Sequence, residues 1–346
     1  MSLIHATSPH IIKPNSVHAL MIKVILATIP AFMLHFSLFG WGIVFNLISA
    51  IAFSVTFEAL CLKWRGRSVG FYLTDYSAVL TAVLIALAFP SAAPWWLIMI
   101  GSATAIVLGK HLYGGLGFNP FNPAMLGYVL CLIAFPEAMT RWLEPSILDG
   151  VSRPALTDAL RWFFDTQLVD SFSGATPLDI ARTYASNPDI IANHPALQGD
   201  FAGVGWDLIN IAFLMGGIFL MARKVITWHI PVSVLAGIGF WALVFHGYNP
   251  DYYAGPQFHW LSGGTMAAAF FYATDPVSAT TTNRGRLIYG FLIGSTTYVI
   301  RTWGGYPDAF AFSILLMNFA APFIDHLTQP RTYGHRLAKR GAPNNP

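Results

Sequence analysis

Ten apolar runs follow one another along the chain, separated by short charged, glycine- or proline-bearing segments. The first five are Leu20–Phe39, Gly42–Leu62, Tyr76–Phe89, Trp95–Leu112 and Phe121–Phe135. A long polar interval, residues 136–206, precedes the second five: Asp207–Ala222, His229–His246, His259–Ala273, Leu287–Ile300 and Asp308–Ile324. A helix needs about 20 apolar residues to cross a bilayer, so Tyr76–Phe89 and His259–Ala273 are too short to cross as simple helices. The first run follows a polar lead of nineteen residues, and no convincing small-residue cleavage site comes after it. It reads as a retained transmembrane segment and not as a signal peptide.

Composition agrees with this pattern: 55% of the 346 residues are hydrophobic and 10% are charged. Soluble domains carry about 25% charged residues, so most of this chain must face lipid or other buried helices. Placement of Lys and Arg tests the run count independently. With the N-terminus inside, 14 basic residues fall on inner segments and 5 on outer ones (Arg141, Arg153, Arg161, Arg182 and Arg301). That split follows the positive-inside rule. It puts both termini in the cytoplasm and the interval 136–206, with nine acidic residues against four arginines, outside. The net charge of +3 comes with no basic patch interleaved with aromatics, so nucleic acid is not an expected partner. Cys61 and Cys131 lie in apolar runs as small core residues.

The two halves resemble each other. Leu112–Leu130, "LYGGLGFNPFNPAMLGYVL", lines up with Thr302–Ala320, "TWGGYPDAFAFSILLMNFA", with Gly114-Gly115 on Gly304-Gly305. Ala86–Trp96 similarly matches Tyr272–Thr282, each short run ending at a proline, Pro90 or Pro276. Five spans per half is an odd number, so the second half must be inserted upside down relative to the first. The expected fold is all-α and integral to the membrane, with ten transmembrane helices in two inverted five-helix repeats and short broken helices. The expected divisions are 1–135, the loop 136–206, 207–330 and a cytoplasmic tail, 331–346. Proline-interrupted segments at matching positions of inverted repeats point to a binding site near the midplane, although such residues also simply kink packed helices.

Catalytic and nucleotide-binding motifs are missing: no P-loop, GxGxxG, HExxH or CxxC occurs, and no histidines pair on a metal-binding face. No soluble domain is available for NAD(H) or an iron–sulfur cluster. No catalytic residue and no metal site is therefore expected. Among intramembrane ionisable groups, Glu58 reads as a snorkelling or paired interfacial carboxylate, and His35 and His246 as interfacial. Asp275, just before Pro276, either caps backbone amides or contacts a cation or a ligand's polar group. In "GFNPFNPAM", Asn119-Pro120 and Asn122-Pro123 put two amides at the entry of the fifth run. Asn122 reads plainly as a helix cap with Pro123 at the first helical position. Both amides could also hydrogen-bond a flat heteroaromatic ligand.

The stretch "DSFSGATPLDIAR", Asp170–Arg182, stands out within the polar interval. Thr176-Pro177-Leu178-Asp179 has the spacing of a capping box, with threonine as N-cap. Yet Ser173-Gly174-Ala175 is stripped of bulk, as if something large approaches the threonine hydroxyl. Acidic Asp170 and Asp179 flank it and could hold a metal during a modification, and a helix N-terminus would favour an attached phosphate.

These motifs, with "ATDPVSATTTNRGRLIYG" and "AFAFSILLMN", resemble the family that contains the D subunit of the Rnf (Rsx) electron-transport complex and the B subunit of the sodium-pumping NADH:quinone oxidoreductase. The likeness runs over essentially the whole chain, and the short N-terminal lead favours the D type. It implies that Asp170, Ser173, Gly174, Ala175 and Thr176 form the recognition site of a flavin transferase. That enzyme moves FMN from FAD onto the Thr176 hydroxyl as a phosphoester. It further implies a second, non-covalent flavin, riboflavin, near the cytoplasmic side, with Asn119 and Asn122 as candidate contacts. The implied role is an electron-relay subunit of an ion-translocating ferredoxin:NAD oxidoreductase in the bacterial inner membrane, beside iron–sulfur and flavin subunits. The rival expectations are the B-type subunit and a flavin-free channel, since the implied scaffold is also that of urea and ammonium channels.

Overall fold

Segments this apolar become helical because, in lipid, every backbone donor and acceptor must be satisfied within the protein. A computed structural model of the chain describes residues 17–329, apart from 149, 165–172, 200 and 307. Its first part comprises α1 (Val17–Phe39), α2 (Gly42–Trp64), α3 (Val69–Leu73), α4 (Ser77–Ala88), α5 (Trp95–Ala103) and α6 (Pro123–Ala134), with α5 continuing as a π-helical stretch over Thr104–His111. The polar interval contains α7 (Pro136–Thr140), β1 (Trp142–Leu143), α8 (Leu156–Phe164), β2 (Ser173–Gly174), α9 (Pro177–Thr183) and α10 (Pro188–Asn193). The last part comprises α11 (Trp206–Ala222), α12 (His229–Tyr248), α13 (Pro256–Leu261), α14 (Thr265–Ala267), α15 (Asn283–Trp303) and α16 (Phe310–Thr328). Here α14 continues as a π-helical stretch over Ala268–Tyr272. Both parts run in one order: two long helices, a very short one, a half-length one, then two more.

Four helices (α1, α2, α12 and α16) are each long and apolar enough to cross a membrane, and α4, α6 and α11 are shorter apolar helices. The chain is an all-α, multi-pass membrane protein whose described β-structure is one two-residue pairing. Narrow stripes of small and polar residues direct the packing. On α2 the buried positions Gly42, Asn46, Ala50, Ser54, Glu58 and Leu62 recur every four residues, forming one face. Where α12 crosses α15, a Cβ on Gly294 would collide with the Val234 carbonyl oxygen, and one on Gly290 would collide with Ser233 Oγ. Small residues let the two backbones touch, which is how helices pack when lipid supplies no hydrophobic drive.

Two expectations change. The run His259–Ala273 is not one helix; it breaks at Ser262–Gly264 between α13 and α14. Gly263 sits at φ +58°, and a Cβ there would strike Leu178 and Asp308. The run Leu287–Ile300 starts earlier, at Asn283, because Thr282 caps it by accepting the Gly285 amide and because Arg284 and Arg286 are good helix residues.

Candidate functional site

A broken helix leaves backbone groups without partners, and buried amide and cationic side chains supply them. At the end of α4, Asn46 Nδ2 donates to the Pro90 carbonyl at 2.8 Å. At the α13–α14 break, Asn210 Nδ2 lies within 2.8–3.1 Å of the Trp206, Leu261 and Gly263 carbonyls, and its Oδ1 accepts the Met266 amide at 3.0 Å. Buried Arg301 donates to the His259 carbonyl at 3.0 Å and Thr265 Oγ1 at 3.0 Å, and pairs with Asp308 at 3.2 Å. Asp308 in turn accepts the Gly264 amide at 2.7 Å. Of these residues, Trp206, Gly263, Gly264 and Asp308 also line one of the two cavities beside α6.

The first cavity, about 290 Å³, lies at the start of α6. Asn119, Asn122, Asp275, Lys110 and Arg286 line it beside Phe270 and Phe271. The three sequence-derived residues Asn119, Asn122 and Asp275 therefore meet in one place, although 150 or more positions separate the asparagines from Asp275. Asn122 is the cap of α6: Oδ1 accepts the Met125 amide at 3.2 Å, while Nδ2 donates to the Tyr272 carbonyl at 2.9 Å. Asn119 Nδ2 donates to the Phe121 carbonyl at 3.0 Å and to Asp275 at 3.4 Å. Asp275 also accepts the Ser278 hydroxyl at 2.7 Å and the Val277 amide at 3.5 Å. It is thus a local cap and a cavity wall at once.

Beside this cavity is a buried charge cluster. Lys110 Nζ donates to Glu58 Oε1 and to Ser77 Oγ, both at 2.7 Å, and His111 Nε2 lies 3.1 Å from Glu58 Oε2. Glu58 is paired, as the sequence suggested, and it is buried within the protein. His35 is likewise buried, on the α1 face against α11, because the residues before and after it on that face are apolar and close-packed.

The second cavity, about 100 Å³, lies toward the end of α6, and Thr176 is part of its wall. Its aromatic residues include Tyr128, Trp142, Trp206 and Tyr306, with Asp179, Asp308 and His35 among the polar ones. β1 and β2 pair antiparallel, Trp142 opposite Gly174 and Leu143 opposite Ser173, and of the Ser-Gly-Ala-Thr segment that follows Thr176 reaches the cavity. Thr176 is the N-cap of α9 in a full capping box: its hydroxyl donates to Asp179 Oδ2 at 2.6 Å and accepts the Asp179 amide at 3.3 Å. Asp179 Oδ2 also accepts the Thr176 amide at 3.3 Å. The expected phosphate seat on the helix N-terminus is weaker than the motif suggests. α9 has only seven residues, Pro177 brings no N–H, and the Asp179 amide is already engaged. Ser173 and Ala175 are exposed, and Gly174 is half-buried against Glu144. Asp170 lies outside the described residues.

Lys110, Asn210, Arg301 and His35 were not singled out as site residues from the sequence. The available signal was a cationic or amide residue inside an apolar run, where such groups are rare and paired.

A family model described as the NQR2, RnfD, RnfE family matches residues 4–334. The D subunit of the ion-translocating oxidoreductase complex of Alcanivorax borkumensis is 53% identical over 345 residues, covering 99% of both chains. The protein of the same name from Cellvibrio japonicus is 48% identical over 353 residues, covering 100% of this chain and 99% of its own. That of Pseudomonas aeruginosa is 47% identical over 345 residues, covering 99% and 98%. Matched in this way from one end to the other, the chain belongs to the NQR2, RnfD, RnfE family.

Proposed function

We propose that this chain is the D-type membrane subunit of an ion-translocating oxidoreductase complex and relays electrons through two flavins. FMN is attached to Thr176 as a phosphoester, and riboflavin occupies the cavity at the start of α6. The chain crosses the bacterial inner membrane ten times as two inverted five-helix repeats, 1–135 and 207–330. Both termini are cytoplasmic and the loop 136–206 is periplasmic. The repeated helix order supports this arrangement, as does the pairing of α1 with α11, α6 with α16, α2 with α5 and α12 with α15, which a two-fold relation would generate.

One observation carries the flavin reading: the Thr176 hydroxyl lies at an aromatic-lined cavity, in a turn whose preceding side chains are small and exposed. A transferase can reach this oxygen from one side while the cavity offers ring faces on the other. Such an ester would form by the Thr176 oxygen bonding the FMN phosphorus as the anhydride bond of FAD breaks, with AMP leaving and the hydroxyl proton released. Asp179 then loses the hydroxyl donor and keeps the Thr176 amide. The isoalloxazine ring supplies the redox chemistry when bound; the protein supplies position and electrostatics. Tyr128, Trp142 and Trp206 exclude water and present apolar faces, while Asn119 and Asn122 place amide groups at the other cavity. The iron–sulfur and flavin subunits of the complex, a flavin transferase and membrane lipid are the partners.

The test is a denaturing gel of the complex made in cells with the transferase. A flavin fluorescence band at this subunit's mass is expected, kept in Thr176→Ser and lost in Thr176→Ala or without the transferase. Undiminished fluorescence in Thr176→Ala would remove the proposal.

A further inference from the structure

Helix α8, in the polar interval, has three sides. Ala159 and Trp162 are buried and Phe163 is half-buried, whereas Leu156, Leu160 and Phe164 are 44%, 39% and 69% exposed. Spaced four residues apart, the exposed three form one stripe, with Phe163 on one flank and the exposed Thr157 and Arg161 on the other. Large apolar side chains in line on a helix of a polar loop form a surface that calls for a non-aqueous partner. What α8 packs on shows where that surface lies. The Phe163 ring is 5.8 Å from the ring of Phe45 on α2. Phe45 stands in the outward stripe of α2, at helical spacing between the exposed residues Trp41, Ile48 and Ala52. Because α2 is long and apolar enough to cross a membrane, that stripe is the one turned to lipid, and α8 is seated at its end. The segment leading into α8 lies at the same level. Arg153 donates to the Phe36 carbonyl at 3.0 Å, and its guanidinium lies 4.3 Å over the Phe36 ring, which in turn meets Trp41 edge-on at 5.1 Å. Arginine and tryptophan gathered at the corner between two spanning helices are what a membrane–water boundary favours.

We propose that α8 is an interfacial helix whose partner is the phospholipid surface. It lies along the membrane on the side of the loop, with Leu156, Leu160 and Phe164 dipping to the acyl boundary and Arg161 beside the headgroup phosphates. The stripe is continuous with the lipid-facing side of α2 through the Phe163–Phe45 contact. A specific protein partner is a poorer fit, because such interfaces take about 20–30 residues a side and the stripe offers three. The inference does not depend on the flavin reading. It bears on it all the same: α8 stands between β1 and β2 in the chain, so the strands that approach Thr176 are joined through a helix resting on lipid.

The test uses the whole complex, reconstituted in vesicles of phosphatidylethanolamine and phosphatidylglycerol, with the photo-crosslinker p-benzoylphenylalanine placed at Phe164 or at Leu160. At Phe164 the probe keeps the aromatic ring, and the second position covers a failure of the first to assemble. After illumination the intact mass of this subunit is measured, and the complex is run on a denaturing gel. The expected result, at each position that assembles, is a gain of one phospholipid mass that is missing without illumination, with no band at the summed mass of two subunits. A crosslink from either position into another subunit would make the stripe a protein interface and overturn the proposal. An unmodified mass at both positions overturns it as well, since it would leave the stripe in water.

Discussion

Glu58 and Lys110 meet at 2.7 Å with both side chains 3% exposed, so neither charge has water to fall back on. Ser77 takes a second hydrogen of the ammonium group, and His111 approaches the other carboxylate oxygen. Removing one partner of such a pair leaves a buried charge uncompensated, at a cost of about 3–5 kcal/mol. Glu58→Gln should therefore lower the thermal stability of the purified complex strongly. Combining Lys110→Met with Glu58→Leu instead should recover much of the loss, since replacing both partners by apolar groups is often neutral. A Glu58→Gln complex as stable as wild type would show that the pair contributes no such interaction. Thr176 makes a different point at this scale. The cap and the proposed flavin anchor are the same oxygen, so Thr176→Ala loses a cap of about 1 kcal/mol along with the proposed tether. Thr176→Asn separates the two effects, since asparagine still caps the helix but offers no hydroxyl to esterify.

At the scale of elements, the broken helices matter most, because they are where side chains substitute for backbone partners. Asn210 answers three carbonyls and one amide around the α13–α14 break. Asn210→Leu keeps the size but leaves those groups unpaired, at about 1–3 kcal/mol each where they are buried. The expected outcome is a sharp fall in assembled complex, read by size-exclusion chromatography of the detergent extract; normal assembly would contradict it. The sequence made one kind of break legible and hid the other. Pro90 and Pro276 announce the ends of α4 and of the α14 π-helical stretch, since proline cannot continue a helix. The break at Ser262–Gly264 lies inside an apolar run, and only the Gly263-Gly264 pair marks it locally. Its stabilising partners come from far along the chain in both directions. Asn210 precedes Gly263 by 53 positions and Arg301 follows Ser262 by 39, separations no local pattern spans. The same holds for the first cavity: "NPFNP" and "TDP" each read as caps, and the structure keeps them as caps while also gathering them around one space.

At the scale of the whole molecule, the proposed orientation rests on where the ten-run reading puts the cations, 14 on inner segments and 5 on outer ones. In spheroplasts carrying a Cys61→Ser background, Ser173→Cys should react with a membrane-impermeant maleimide. Ser68→Cys, on the loop after α2, should react only after permeabilisation. Labelling of Ser68→Cys in intact spheroplasts would reverse the orientation. Under the proposed topology the two cavities lie toward opposite faces of the membrane, at the two ends of α6, and the tethered flavin belongs to the periplasmic one. That claim reduces to one ester on one oxygen. Mass spectrometry of the peptide containing Thr176, from complex purified out of cells that make the transferase, tests it most directly. The account predicts a mass increase of FMN less one water, localised to Thr176 by fragmentation; a wholly unmodified peptide, or the flavin on another residue, would contradict it.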